Sequence, residues 1–436
     1  MTTEYAGKLS KILVNNKVYS TQAIYNKEGA ILVAEHQELT PALLMKIKRH
    51  LLDQPLESSV KLQSSLAKED LYHDILTLLK KLPSMWELHT NFIAKHNLHH
   101  ACAYYSQIPT LVQLLTVFSL LYPKRYKRAL LLAWGGWLIA SAGGENHARC
   151  NVIFCANLFH EIGVLYLNDD IEQVEQVASD DDETRKRTLV SAKAVSRIPG
   201  IPDALFKAIE GVGLHPTSTG FMSSVALHKV STDDQIIWLS HFLYDVINDR
   251  FAFRVDINDV LPLLRLYFAR YFPVYFKVAI TLIENADMPN RVKTEVQLLS
   301  CVRALLMNYI LLVRMVELYS PVRDILLSFS ANKVPAMVLQ KIEQIEFILS
   351  STGILSEPLM RWMSHVEEDQ LLSAAEEIRE YYILQQELAR QLNRFVLLVR
   401  RFTITNHSKL QGLLNALEVE FDGLVNQLNY LMDEHH

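Results

Sequence analysis

The residues best equipped for chemistry lie in NHARCNVIFCANLFHEIGVLYLNDD, where a buried helix read over residues 148–159 ends in His160-Glu161-Ile162-Gly163. An imidazole and a carboxylate side by side at a helix end can share one metal cluster, in which a bound water becomes a nucleophile. His241 and His215 are further donors, and three protein ligands with an open position suffice for a catalytic ion. His89, His96 and His100 fall on one helix face, and the i, i+4 pair His96 and His100 could hold a metal, but nothing downstream supplies a third ligand at a recognisable spacing, so they read as a solvated or capping face. Cys150 and Cys155, five apart in an apolar helix, point in different directions and read as small core residues. Gly135-Gly136 and Gly143-Gly144 lack the flanking pattern of a phosphate loop. No Ser or Cys has the context of a nucleophile.

A mainly α-helical chain has to position these groups. Its 436 residues are half hydrophobic, enough to bury one large core or two to three smaller ones. A formal net charge of -5 without long single-sign blocks gives no electrostatic footprint for a nucleic-acid backbone. The apolar runs 110–122 and 129–144 are each shorter than the roughly 20 residues needed to span a bilayer, so they read as buried helices and no membrane span is expected. Between them lies the basic run 124–128, a helix start with exposed charges from which only Arg128 is expected to face inward. The start, MTTEYAGKLSK, has no secretory signal and four cysteines make no disulfide framework, which together point to a reducing cytoplasm.

Three regions are expected. Residues 1–65 form a small α+β module with β-rich runs at 12–14, 18–19 and 30–33 and a turn at 26–29. It closes with a helix capped by Thr40, with Pro41 at its first position and Leu43, Leu44, Ile47 and Leu51 on one face. Residues 66–285 form a helical domain, within which the acidic stretch 169–183 reads as solvated and locally paired with Arg185, Lys186 and Arg187. Residues 286–436 form a C-terminal helical extension. There Leu388, Leu392, Phe395, Val399 and Phe402 step by four and three, and Leu410, Leu414, Leu417, Phe421, Leu424, Leu428 and Leu431 continue the alternation. Ser408 and Gln411 give a capping-box signal between the two seams, hence a helical hairpin. Such seams either pack on their own domain or serve a partner, including a homodimer through residues 380–433.

After His160-Glu161 come VLYLNDDI, a polar insertion, SAKAVSRIPGIPDALFKAIEGVGLHPTSTGFMSS, and STDDQIIWLSHFLYDVINDRF. In that order, roughly residues 85–285 resemble the bacterial HD-GYP domain, and the N-terminal module is similar to one that often precedes such domains. The resemblance implies an all-helical domain whose His-Asp dyad, with further His and Asp ligands, holds divalent metals that activate water against the phosphodiester of cyclic di-GMP.

Matched position by position, the resemblance also implies that the centre has been dismantled. His160 and Glu161 match the dyad, with Glu for Asp, and Val164 replaces the Lys that follows it. Arg128 and Arg187 stand where two His ligands belong. Val212, Gly213 and Leu214 replace a His-His-Glu triplet, while Thr217, Ser218, Thr219, Gly220, Phe221 and Met222 replace the Gly-Tyr-Pro signature. The late Asp falls near His241, with Arg250 at the matching Arg. Arginine cannot ligate a metal but can replace its charge, so Arg128 or Arg187 is expected to pair with Glu161. The chain is therefore expected to have no catalytic activity, metal or cofactor, and to act through protein partners in cyclic di-GMP signalling without binding that nucleotide. The competing expectations are an iron- or manganese-dependent phosphodiesterase using His160, Glu161 and His241, and a nucleotide sensor without turnover.

Overall fold

The structure, a computed structural model, describes residues 2–93, 98–167, 181–214, 230–248, 257–268, 273–286, 295–329, 334, 336–365, 371–401 and 411–420. The chain is mainly α-helical, with short antiparallel strands only in the first 65 residues among those described. It forms two compact units. One comprises Met1–Gly220, Ala226–Arg250 and Phe272–Asp287; the other comprises Phe221–Val225, Phe251–Tyr271 and Met288–His436. Residues 1–65 thus belong to the same compact unit as the helices that follow them.

The first unit opens with α1 (Thr2–Ile12), which ends on the first residue of the β run expected at 12–14, while Leu13 and Val14 form a turn and no strand. Tyr5, Leu9 and Ile12 recur at helical spacing and are all buried, so burial of one helix face overrides the β propensity of the Ile12-Leu13-Val14 triplet. Strand β1 (Val18–Ser20) pairs antiparallel with a strand at Val60–Leu62, and Ile24–Tyr25 pairs with Ile31–Val33 around the expected turn. Asn26 Oδ1 accepts the N–H groups of Glu28 and Ala30 there, and Gly29 takes the positive φ of 81° that the turn demands. α2 (Pro41–Lys48) begins as expected, Thr40 accepting from the Leu43 N–H. Leu44 and Ile47 are buried, but the helix ends at Lys48, one turn too early to carry Leu51 onto the same face, and Leu51 is exposed.

This module is tied to the helical body through buried polar contacts. Tyr5 stacks on Tyr166 at 5.6 Å, the Tyr166 hydroxyl donates to Glu57 at 3.0 Å, and the Lys8 ammonium donates to the Tyr122 hydroxyl at 2.5 Å. Burial raises the Glu57 carboxyl above its ordinary range.

The helical body runs α3 (Lys68–Lys80), α4 (Pro83–Ile93), α5 (Leu98–Ser106), α6 (Pro109–Leu121), α7 (Pro123–Ala142), α8 (His147–Phe159), α9 (Asp181–Val195), α10 (Asp203–Leu214) and α11 (Thr232–Asn248), with a helix at Pro273–Glu284. A 3-10 turn, Ile162–Tyr166, follows α8. α7 is the central element, packed between α8 and α11. Its Gly136 lets α8 approach closely, since a Cβ there would stand 2.3 Å from Asn157 Nδ2. That approach brings the end of α8 beside the start of α7.

In the second unit the helices are Leu261–Phe268, Glu295–Ser328, Ala336–Thr352, Glu357–His365, Ala375–Arg401 and residues 411–420. The seam residues Leu388, Leu392, Phe395 and Val399 are buried against Glu295–Ser328 and Ala336–Thr352, so this part of the seam is used inside its own unit. Leu414 and Leu417 are buried too, and Arg400 donates to Asn415 and Glu418 across the connection. Phe402, Ser408, Leu410, Phe421, Leu424, Leu428 and Leu431 lie outside the described residues. Beside the seam runs a buried polar chain that the heptad spacing does not announce. The Glu387 carboxylate accepts from the Tyr267 hydroxyl and from Gln391, whose carbonyl accepts from the Lys341 ammonium at 2.6 Å. Among the described residues, no helix is long and apolar enough to cross a membrane.

Candidate functional site

His160 caps the C-terminal end of α8, Glu161 follows it into the 3-10 turn, Arg125 and Arg128 lie one turn apart near the start of α7, and His241 comes from the middle of α11. Their side chains converge. Arg128 Nη1 donates to Glu161 Oε1 at 2.9 Å, and Arg125 Nη1 lies 3.6 Å from Oε2 of the same carboxylate. Arg128 also reaches Asp245 at 3.6 Å, and its guanidinium lies over the Tyr244 ring at 5.5 Å. Of the two arginines expected to neutralise Glu161, the direct pair is therefore made by Arg128; Arg187, buried on α9, acts on the same carboxylate through its field. The inward position of Arg125 corrects the expectation that only Arg128 of the basic run faces the interior. Residues three apart on a helix share a face, whereas Lys124 and Lys127 lie off it and are exposed.

Burial alone would push the Glu161 carboxyl up, but attraction to Arg128 and the other guanidinium groups outweighs it and holds the acid at about 2. The two imidazoles go the other way. Burial, opposed by Glu161 and reinforced by Arg128, lowers His160 to about 4, and burial with the neighbouring His160 lowers His241 well below its ordinary value. Both rings are neutral at pH 7. They meet edge to face with centroids 4.7 Å apart. His160 Nδ1 lies 2.7 Å from the Asn157 carbonyl, which fixes the proton on that nitrogen. Its Nε2, and both ring nitrogens of His241, have no hydrogen-bond partner among the described residues.

These depressed histidines set a pH window. A group whose folded pKa lies below its unfolded value near 6.5 contributes stability that is complete above that value and is lost as pH falls toward the folded pKa. Urea midpoints of the full chain should therefore decline between about pH 6.5 and 4, before Glu161 is protonated. H241F should flatten that decline; an equal slope in the variant would assign it to other groups.

Ser191 on α9 locks the dyad from behind. Its Oγ accepts the Gly163 N–H at 2.7 Å and lies 2.7 Å from the His160 carbonyl and 3.0 Å from that of Arg187. Ser191, Asn157, Asp245 and Arg125 were not singled out from the sequence. A small polar residue one turn after Arg187 was the available signal for Ser191.

Val212 is buried near the end of α10, which Gly213 and Leu214 close. Thr217, Ser218, Thr219, Gly220, Phe221, Met222, His215 and Arg250 lie outside the described residues, as do His96 and most of the acidic stretch. His89 and His100 do not share a helix: they sit on α4 and α5. His89 is also not solvated, because α4 turns it onto α7, where Nδ1 accepts from Trp134 Nε1 at 3.2 Å. Cys150 and Cys155 are buried in the core. Among the described residues, no three His, Cys, Asp or Glu side chains are grouped to hold a metal ion.

No family model matches this chain, and neither a curated protein nor a solved structure is significantly similar to it. A cluster of two or three divalent cations needs several anionic donors to offset its charge. Here two carboxylates, Glu161 and Asp245, already face guanidinium groups, and the donors present do not fit such a cluster.

Proposed function

We propose that this chain is a catalytically inactive, HD-GYP-like signalling or scaffold protein of the bacterial cytoplasm, which works through protein partners in cyclic di-GMP signalling. One observation carries the reading: Arg128 Nη1 lies 2.9 Å from the Glu161 carboxylate, at the position where the resemblance calls for a metal-binding histidine. A fixed guanidinium satisfies the buried acid as a cation would, keeps the fold, and supplies neither an open coordination position nor a water of lowered pKa. What such a domain retains is its surface, on which a partner can be bound.

The test uses full-length protein produced in medium supplemented with iron and manganese and purified without chelator. Metal content well below one ion per chain, with no turnover of cyclic di-GMP, is expected. One or more ions per chain together with hydrolysis that disappears in His160→Ala would overturn the proposal in favour of a reduced phosphodiesterase. Saturable heat on titration with cyclic di-GMP, without turnover, would replace it with a nucleotide sensor.

A further inference from the structure

The second unit contains an open cleft of about 540 Å³ where the end of Ala336–Thr352, the helix Glu357–His365 and the start of Ala375–Arg401 come together. Trp362 and Tyr381 form one wall, with ring centroids 5.9 Å apart and planes tilted by 56°. Ser356 and Thr352 also line the cleft, and Glu377 is the one charged residue of the lining among the described residues.

These groups keep their binding capacity. The Glu377 carboxylate, the Trp362 indole N–H and the Tyr381 hydroxyl have no hydrogen-bond or ion-pair partner among the described residues. The Ser356 hydroxyl, by contrast, is used in capping Leu359. Leu372, the chain neighbour of Ser373 in the lining, has an apolar side chain that is half exposed.

We infer that this cleft receives an arginine side chain presented by a partner protein. Two aromatic faces attract a cation, a planar guanidinium stacks on them better than a compact ammonium does, and a carboxylate can accept two of its N–H groups. Among the described residues the lining has a negative charge and no positive one, so the complementarity has one sign. A side chain carried on a polypeptide also brings neighbouring residues that can cover the exposed Leu372, which an isolated small cation cannot do. The inference uses none of the residues around Glu161, so it stands or falls separately from the reading of the first unit.

The experiment is a ¹⁹F NMR titration of the full chain labelled with 5-fluorotryptophan. The chain has five tryptophans, so the Trp362 signal is assigned by its loss in Trp362→Phe. The probes are acetyl-Ala-Arg-Leu-amide, its citrulline and lysine counterparts, and acetyl-arginine-amide. The arginine tripeptide should shift the Trp362 signal saturably, and the neutral citrulline peptide should bind about fivefold or more weakly. Glu377→Gln, an exposed and conservative change, should weaken the arginine peptide by a similar factor while leaving the signals of the four other tryptophans unchanged. Equal shifts by the arginine and citrulline peptides, no effect of Glu377→Gln, or no saturable shift would overturn the inference. Binding of acetyl-arginine-amide as tight as that of the tripeptide would overturn the protein-partner assignment in favour of a small cation.

Discussion

Arg128→Met should destabilise the first unit by about 3 kcal/mol, measured as the urea unfolding free energy at pH 7. The cause is the charge left behind, more than the contact removed. Glu161 is 1% exposed and cannot recover its hydration in place, so deleting its main partner leaves an anion that must neutralise, recruit water or unfold its surroundings. Arg125 remains at 3.6 Å and Arg187 remains on α9, which keeps the cost toward the lower end for a broken buried pair. Two further variants separate this mechanism from simple loss of packing. Glu161→Gln in the wild-type background removes the acid and leaves guanidinium groups facing one another, so it should be destabilising too. The double variant Arg128→Met with Glu161→Gln should be less destabilised than the sum of the two, because replacing both members of a buried pair avoids an uncompensated charge. If Arg128→Met costs under about 1 kcal/mol, the pair does not hold the acid and charge substitution at this site is wrong.

How far that site was legible in the sequence depends on the kind of signal. Helix identity was legible wherever long apolar periodicity existed: α6, α7 and α8 fall where runs of apolar residues put them, because burial dominates local preference over three or more turns. It failed at Ile12-Leu13-Val14, where a short β-branched run was outweighed by a helix face that only packing defines. The approach of Arg128 to Glu161 was expected, as an alternative to Arg187, from the position that the resemblance gives Arg128 together with the need of a buried carboxylate for a cation. The approach of Arg125 was available from the same spacing, since it stands three residues before Arg128 on the same face of α7. Ser191 and Asn157 were silent because their roles are to satisfy backbone groups, and any small polar residue in a helix looks alike before the fold brings a carbonyl beside it. In the second unit, Leu388, Leu392, Phe395 and Val399 announced a seam. The polar chain of Lys341, Glu387 and Gln391 beside them did not, because buried polar groups carry no periodic signature of their own.

Gly163→Ala should be as damaging, about 3 kcal/mol by the same urea measurement, although no unusual backbone angle is involved. A glycine can be required in two distinct ways, and this chain has both. Gly144 adopts φ of 81° with nothing within 4 Å of where a Cβ would stand, so alanine there meets only the conformational strain of the left-handed region, about 1 kcal/mol. At Gly163 the angle is ordinary, but a Cβ would stand 2.2 Å from the Arg187 carbonyl oxygen, 2.8 Å from the Ser191 nitrogen and 2.9 Å from Ser191 Oγ. Two of those atoms are helix backbone and cannot swing aside as a flexible side chain would. Relief requires α9 to move away from the 3-10 turn, which breaks the bonds that Ser191 makes to Gly163 and His160 and carries Arg187 off the dyad. Ser191→Gly added to Gly163→Ala would remove the side-chain clash and leave both backbone clashes, so it should restore little. A stable Gly163→Ala protein, or one fully rescued by Ser191→Gly, would mean that α9 does not press on the dyad as closely as described. The charge argument for Arg187 would then lose its basis while that for Arg128 would stand.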